Sequence, residues 1–315
     1  MHTRRTKKRK TRKWVKKSLL GLGIIISILA VYSVYQYQQG LSSASSVSPE
    51  KDSSTIQPFQ GEKVHVGEMK ILLIGSDART GEQGRSDTLM IADYNQDTQQ
   101  VKLASLMRDT YVEIPGYGMQ KLNAAYSFGG PELLRQTIKQ NFGIDINYYA
   151  VVNFEGFPKL IDLLAPNGIE VDIQNEMSTG IGMTLPPGKQ TLHGEKLLGY
   201  VRFRKDSRSD FGRVERQQEV LSKVREQAVS FTSLARLPKV LGTVNGYVDT
   251  NIDSKALFTI GKSLLTKKSS DMETLRIPIK DSYTDERVDV GAVLDIDVET
   301  NRQALNTFFS TQGSE

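Results

Sequence analysis

The sequence predicts an α/β fold, a central mixed sheet flanked by helices on both faces (α/β/α), preceded by one N-terminal transmembrane helix. Two observations predict the sheet and its cover. Short apolar runs with strand character alternate with helix-period segments from residue 67 to 312, an order that builds a sheet covered by helices. No internal repeat breaks that alternation, and the stretch is long enough for one large core. A third observation predicts the membrane helix: an uncharged run from Ser18 to Tyr37 directly follows a dense basic cluster.

The N-terminal elements come first. Residues 1–17 hold ten Lys and Arg and no acid, a basic cytoplasmic tail. The run SLLGLGIIISILAVYSVYQY at 18–37 approaches the ~20 residues that cross a bilayer as a helix. Basic residues before it keep that side in the cytoplasm, so the chain is expected at the cell membrane as a single-pass protein with its C-terminal domain extracellular. A cleaved signal peptide is the alternative. Aromatic and Gln residues follow the apolar run, however, and Ser43-Ala44-Ser45 lies well past it. Residues 38–66, rich in Ser, Gln, Gly and Pro, read as a flexible extracellular linker.

The domain at 67–312 then unfolds in order. Met69 to Gly75 is a buried-type strand, followed by strands at Leu89 to Tyr94 and Gln100 to Leu106 across the turn-prone Asn95-Gln96-Asp97. Pro131 to Asn141 has proline at a helix start and Gly143 as a stop. Tyr148 to Asn153 returns to strand, Phe157 to Leu164 to helix, and Gly168 to Ile173 to an alternating strand. Helices are expected at Gly194 to Arg204, Asp210 to Ser230, Leu234 to Gly242 and Ser254 to Leu265. A strand at Thr274 to Ile279 and a helix at Arg302 to Phe309 close the domain.

Composition removes several function classes. Lys and Arg total 41 against 36 Asp and Glu; with ten of the 41 in residues 1–17, 31 basic residues face 36 acidic ones beyond the tail. The basic excess is therefore a topology signal with some attraction to anionic lipid, not the basic face a nucleic-acid binder presents. Cysteine is absent, which excludes disulfides, thiol nucleophiles and Cys-ligated metals. Three histidines, His2, His65 and His193, are too few and too scattered for a His-rich metal site or a His-centred triad.

The candidate chemistry lies in three segments. Gly75 to Thr88 follows the first buried strand, where α/β folds bind ligands, and brackets Arg79 and Arg85 with Asp77 and Asp87. It has neither a Walker lysine nor GxGxxG. Two hard carboxylates suit Mg2+, which takes one or two protein carboxylates and leaves room for phosphate oxygens; a solvated loop of Asp–Arg pairs is the alternative. The second segment, Tyr200 to Gln217, packs Arg202, Arg204, Arg208, Arg213 and Arg216 together. With ~100° per residue and Asp210 as N-cap, Arg213 and Gln217 share a face with Val214, Leu221, Val224 and Ala228. Arg216 falls on the outer side with Glu215, Glu219, Lys223 and Glu226. A buried Arg213 needs an anion, either a bound phosphate or an internal carboxylate. The third segment, Leu103 to Thr110, puts Arg108 at a strand end, beside Asp109 as a possible surface partner. Arginine binds phosphate oxygens bidentately and stays charged, so this set suggests a diphosphate or phosphodiester substrate.

With these residues the chain resembles the LytR-CpsA-Psr family of cell-wall polymer ligases. The matching motifs are Gly75-Ser76-Asp77 with Arg85-Ser86-Asp87-Thr88, Ser105-Leu106-Met107-Arg108-Asp109-Thr110, Lys121-Leu122-Asn123-Ala124-Ala125-Tyr126 with Gly129-Gly130, Val152-Asn153-Phe154 with Gly156-Phe157, and Tyr200-Val201-Arg202-Phe203-Arg204 leading to Asp210, Arg213, Arg216, Gln217 and Gln218. Met107, where the family usually has proline, and Ala165-Pro166-Asn167-Gly168, in place of a double-glycine turn, depart from the pattern. The resemblance implies a phosphotransferase that moves a phosphoglycosyl polymer, such as wall teichoic acid, from an undecaprenyl diphosphate carrier to a peptidoglycan hydroxyl and releases undecaprenyl phosphate. A hydrolase of the same lipid diphosphate and a membrane-bound regulatory protein are the alternatives. By motif position, Asp77 and Asp87 hold Mg2+ (Mn2+ as the alternative), and Arg85, Arg108, Arg202, Arg204, Arg213 and Gln217 bind the diphosphate. Asp210, with Arg108 and Arg213, is the catalytic set, Asp210 orienting or deprotonating the acceptor hydroxyl. The family fold further implies an apolar tunnel for the polyprenyl chain, lined by Phe154, Phe157, Leu160, Ile161, Leu164, Leu197 and Val201, residues whose periodicity alone makes them ordinary core.

Overall fold

The computed structural model describes residues 22, 26–42, 58–63, 68–77, 86–98, 100–228, 231–266 and 272–310. The basic tail at 1–17, the first residues of the expected span, most of the expected linker, and Arg79 and Arg85 lie outside them. Helix α1 covers residues 26–42. The sheet-forming part then runs β1 (Glu68–Ser76), β2 (Ser86–Asn95), β3 (Val101–Leu106), β4 (Thr110–Ile114), β5 (Gly118–Lys121), α2 (Leu122–Phe142), β6 (Tyr148–Asn153) and α3 (Gly156–Leu164). It continues with β7 (Ile169–Ile173), β8 (Gly188–Leu192), α4 (Gly194–Arg202), α5 (Ser209–Ala228), α6 (Phe231–Tyr247) and β9 (Val248–Thr250). Helix α7 (Ser254–Thr266), strands β10 (Glu273–Ile277), β11 (Tyr283–Val288) and β12 (Gly291–Ile296), and helix α8 (Val298–Ser310) complete it.

A six-stranded sheet in the order β10-β3-β2-β1-β6-β9 forms the centre. It is mixed: β1 pairs parallel with β6 and β10 with β3, while β1–β2, β2–β3 and β6–β9 are antiparallel. Alternation along β1 decides which residue faces which layer. Leu72 and Ile74 enter the main core with Leu134, Ile138 and Phe142 of α2 and Leu305 and Phe309 of α8. Met69, Ile71 and Leu73 face the other way, toward Ala256, Leu257 and Ile260 of α7. Helices therefore cover both faces, as the alternating sequence predicts.

Several boundaries differ from expectation for local reasons. Helix α2 begins at Leu122, nine residues before Pro131, but Gly129 and Gly130 leave helical geometry (Gly130 φ 65°) and divide it. Pro131 thus opens the second segment, and Gly143, in the left-handed region at φ 72°, ends it with its N–H on the Lys139 carbonyl. A second, four-stranded sheet, β11-β12-β4-β5, was not expected, because its strands are short and half-exposed and carry no long apolar run. The segment anticipated as a linker is partly built in. Residues 38–42 continue α1, and at 58–63 the Glu62 N–H meets the Ile146 carbonyl while Phe59 packs on Tyr149 with ring centroids 4.9 Å apart.

A second core joins α3, α4 and α5 to the β7–β8 pair. Ile161, Leu197 and Val201 are buried in it, Phe154, Phe157 and Leu164 pack against it, and Leu160 is buried as well. These are the residues expected to line a polyprenyl tunnel.

Candidate functional site

The sheet topology gathers the charged residues at one end. Parallel β1 and β6 finish side by side, with Ser76 opposite Asn153. Because β2 is antiparallel to β1 and β3 to β2, the start of β2 and the end of β3 lie at the same end. Asp77 therefore follows β1, Asp87 opens β2 and Arg108 follows β3, all at one crevice. Gly75 pairs with Thr88 and Ser76 with Ser86, so Asp87 is the extra residue of a β-bulge, a device that re-aims a side chain. Gly75 is required there, since an added Cβ would lie 2.9 Å from the Thr88 Cβ.

Helix α5 crosses this end and is fixed by two amides. Gln217 Nε2 donates to Thr88 Oγ1 at 2.9 Å and to the Val201 carbonyl at 3.3 Å. Gln218 Nε2 donates to Ser105 Oγ at 2.9 Å and to the Leu275 carbonyl at 3.1 Å. Both Gln217 amide protons are thereby engaged, so this side chain locks helix to sheet; donating to a diphosphate requires it to give up one of those bonds. Asn153 likewise serves structure, its Oδ1 accepting the Gly156 N–H at 2.8 Å at the start of α3.

Around the crevice the guanidinium groups and carboxylates form one network. Arg108 Nη1 donates to Asp87 Oδ1, and its Nε to Asp210 Oδ2 at 3.0 Å and Asp109 Oδ2 at 3.2 Å. Arg213 Nη2 reaches Asp210 Oδ2 at 3.3 Å and its Nη1 stands 4.0 Å from Asp87 Oδ1. Arg204 Nη1 lies 3.8 Å from Asp210 Oδ1, on the more open side. Arg202 is held differently, its guanidinium 4.0 Å above the Phe154 ring at the margin of the second core.

Electrostatics follow the burial. Only 4% of the Arg213 side chain is exposed, and desolvation pushes its pKa down to about 10, with Asp210 working against the fall and Arg108 adding to it. The group keeps its charge at neutral pH. For Arg108, burial lowers the pKa, but the charges of Asp210, Asp109 and Asp87 outweigh that and raise it. Burial would lift Asp109, yet the hydrogen bond from Lys121 (2.8 Å) and the charge of Arg108 hold it below the usual carboxylate range. Lys121 and Asp109 thus buttress Arg108 from behind. Sequence reasoning treated Asp109 as a surface partner; its signal was Lys121 at the head of KLNAAY, twelve residues away and unreadable without the β4–β5 pairing.

Two expectations on α5 are corrected. Asp210 is not the N-cap: α5 begins at Ser209, and Asp206 Oδ1 accepts the Arg208 N–H at 3.1 Å, which leaves the Asp210 carboxylate to the arginines. Arg216, expected on the solvated side, is 3% exposed. Its Nη1 pairs with Asp206 Oδ2 at 2.6 Å and its Nη2 donates to the Phe203 carbonyl, because the turn before α5 folds back over that flank. A helical wheel has no knowledge of such a cover.

As to metals, no group of three or more Cys, His, Asp and Glu converges among the described residues. A cation held by Asp77 and Asp87 relies on two carboxylates at adjacent strand ends and on oxygens of a bound phosphate. That donor set fits Mg2+.

The comparisons with known proteins bear on this crevice. The model of the LytR_cpsA_psr family matches residues 30–307. The chain is 43% identical over 281 residues to "Regulatory protein MsrR" of Staphylococcus aureus (strain COL), covering 89% of this chain and 85% of that one. It is 35% identical over 272 residues to a "Polyisoprenyl-teichoic acid--peptidoglycan teichoic acid transferase TagU" of Bacillus anthracis (strain CDC 684 / NRRL 3495), covering 84% and 88%. Among solved structures, "TagT bound to LIIa-WTA" is similar with a TM-score of 0.63 and 25% identity, over 84% of this chain and 100% of that one.

Proposed function

Because the chain belongs to the LytR-CpsA-Psr family, we propose that it is a membrane-anchored phosphotransferase joining an anionic glycopolymer to peptidoglycan. The donor is the polymer on an undecaprenyl diphosphate, in keeping with the transferase name of its TagU relative. The observation that carries this reading is the Asp87–Arg108–Asp210–Arg213 network at the sheet end, where cations are gathered against carboxylates they can leave.

An entering diphosphate offers these guanidinium groups oxygens of higher charge, and Arg108 and Arg213 turn from Asp87 and Asp210 to the phosphates. Arg204, on the open side, and Arg202, beside the apolar second core, complete the clamp at the polymer and lipid ends; Arg85 joins by motif position. The acceptor hydroxyl attacks the phosphorus that bears the polymer. Its new P–O bond forms as the bond to the bridging oxygen breaks, undecaprenyl phosphate leaves, and the hydroxyl proton passes to a base or solvent. The arginines stabilise the charge that grows on the phosphoryl oxygens. Asp210, in contact with three of them, orients the clamp. Asp77 and Asp87 would hold Mg2+, which supplies further charge neutralisation on the diphosphate. Residues 18–37 anchor the chain, N-terminus inside, where the carrier resides; the described part of this span is helical, although among the described residues no helix is long and apolar enough to cross a membrane.

The test is reconstitution of the full chain in bilayers with lipid-linked polymer and peptidoglycan. Polymer covalently bound to glycan is the expected product; release of polymer phosphate with none attached would instead identify a hydrolase. A regulatory reading draws on the name of the MsrR relative. Asp87→Ala and Arg213→Ala separate it: in a strain lacking all related enzymes, full restoration of wall attachment by either variant would overturn the site assignment.

A further inference from the structure

Helix α1 changes character along its length. Ile26, Ile28, Leu29, Val31 and Tyr32 are exposed apolar residues. From Ser33 onward one stripe, Ser33, Gln36, Tyr37, Gly40 and Leu41, is partly or fully buried, at the spacing of a helix face laid on a neighbour. That neighbour is α6. A Cβ added at Gly40 would collide with the Lys239 carbonyl oxygen and lie 2.8 Å from the Thr243 nitrogen. One added at Gly242 would collide with the Tyr37 carbonyl oxygen and lie 3.1 Å from the Leu41 nitrogen. Both glycines lie in helices, so it is the close approach of two backbones that requires them, as at small-residue helix crossings in membranes. Asn245 Nδ2 donates to Tyr37 Oη at 2.8 Å and reaches Ser254 Oγ at 3.4 Å, which ties α7 to the same seam.

The seam begins at the end of the predicted membrane span, since Tyr37 belongs to both. It also leads to the site. Gly156 at the start of α3 packs on α6, where its added Cβ would lie 2.9 Å from the Tyr247 Cβ, and the Asn153 that holds the Gly156 N–H ends β6 in the crevice. Resting on the membrane anchor proposed above, we propose that Gly40, Gly242, Tyr37 and Asn245 are positioning residues. They join anchor and domain into one rigid body and set the height of the diphosphate site above the bilayer. A catalytic domain on a loose tether samples many heights; this one presents its crevice at a single level, where a lipid-borne diphosphate is met in a constant geometry.

Absence of cysteine makes the test direct. Full-length chain carrying Leu41→Cys and Lys239→Cys, one on each helix of the seam and neither a positioning residue, is treated in nanodiscs with a short bis-maleimide. An intramolecular cross-link is expected, and adding Gly242→Leu or Gly40→Leu should abolish it. The single Leu variants are then assayed with two donors, a long-chain carrier in the bilayer and a short-chain, water-soluble prenyl diphosphate carrying the same glycan. For the embedded donor kcat/KM should fall about tenfold or more, the scale at which misplacement costs a proximity-dependent reaction. For the soluble donor it should not change. Gly40→Leu lies outside the domain core, so it separates lost positioning from a damaged fold. Failure of the cross-link to form with both glycines intact overturns the proposal, as does an equal loss with both donors for Gly40→Leu or no loss with either. A chain that docks but transfers neither donor would count against the transferase itself, because the cross-link reads docking without any activity.

Discussion

Arg213 and Arg216 lie three residues apart on α5, both 3% exposed, both with an Nε that finds no hydrogen-bond partner among the described residues, yet their surroundings differ in kind. Arg216 is held by its own approach segment: Asp206 at 2.6 Å and the Phe203 carbonyl, both within thirteen residues. Arg213 is held by Asp210 at 3.3 Å and, across the sheet end, by Asp87 at 4.0 Å. Arg108 shares both of these carboxylates. The first arrangement is close and local, and it fixes the turn that delivers Arg204 and Arg202. The second is longer and shared, so one cation can leave without stranding a carboxylate. A buried arginine marks a functional site by the looseness and sharing of its partners, not by burial.

Substitution should break this contrast most sharply at Arg213. Arg213→Met removes a desolvated charge while Arg108 continues to neutralise Asp87 and Asp210. Transfer is expected to fall roughly 100- to 1000-fold, the loss typical of one transition-state charge stabiliser, with a melting temperature unchanged or raised. At the tight pair the outcome reverses. Asp206→Ala leaves Arg216 buried without its carboxylate and should cost roughly 3 kcal/mol in urea unfolding, with the folded fraction still active. A smaller effect is expected for Gln217→Leu, which frees Thr88 and the Val201 carbonyl. Loss of these bonds should lower stability by about 1 kcal/mol, and transfer should decline as α5 shifts against the sheet.

Acid sharpens the same contrast. Asp109 and Asp206 both sit below the usual carboxylate range, in each case because arginine or lysine contacts overcome an opposing burial. A depressed folded pKa contributes stability that is present above the unfolded value near 3.9 and is lost as pH falls through the folded one. The urea midpoint should therefore decline as pH drops below about 4. Asp206→Asn should flatten that decline.

What the sequence made legible follows from chain-local physics. The strand at Met69 to Gly75, the helix after Pro131 and the burial of Arg213 all depend on periodicity within a few turns, and they appear where expected. Arg216 and the cap of α5 were misread because a loop thirteen residues upstream covers the helix. The Lys121–Asp109 contact and the β4–β5 pair escaped notice because short, half-exposed strands give no apolar run. The convergence of Asp77, Asp87 and Arg108 on one sheet end needed the strand order β3-β2-β1-β6, which no local pattern encodes.

The central claim is that the shared network is a diphosphate site, and calorimetry tests it most directly. A short-chain prenyl diphosphate titrated into the full-length chain with Mg2+ should bind measurably, more tightly than the matching monophosphate. Arg213→Met should weaken that binding by about one to two orders of magnitude, as losing a charged hydrogen-bond donor does. Equal affinity in the wild-type chain and Arg213→Met, or no preference for diphosphate over monophosphate, would contradict the account.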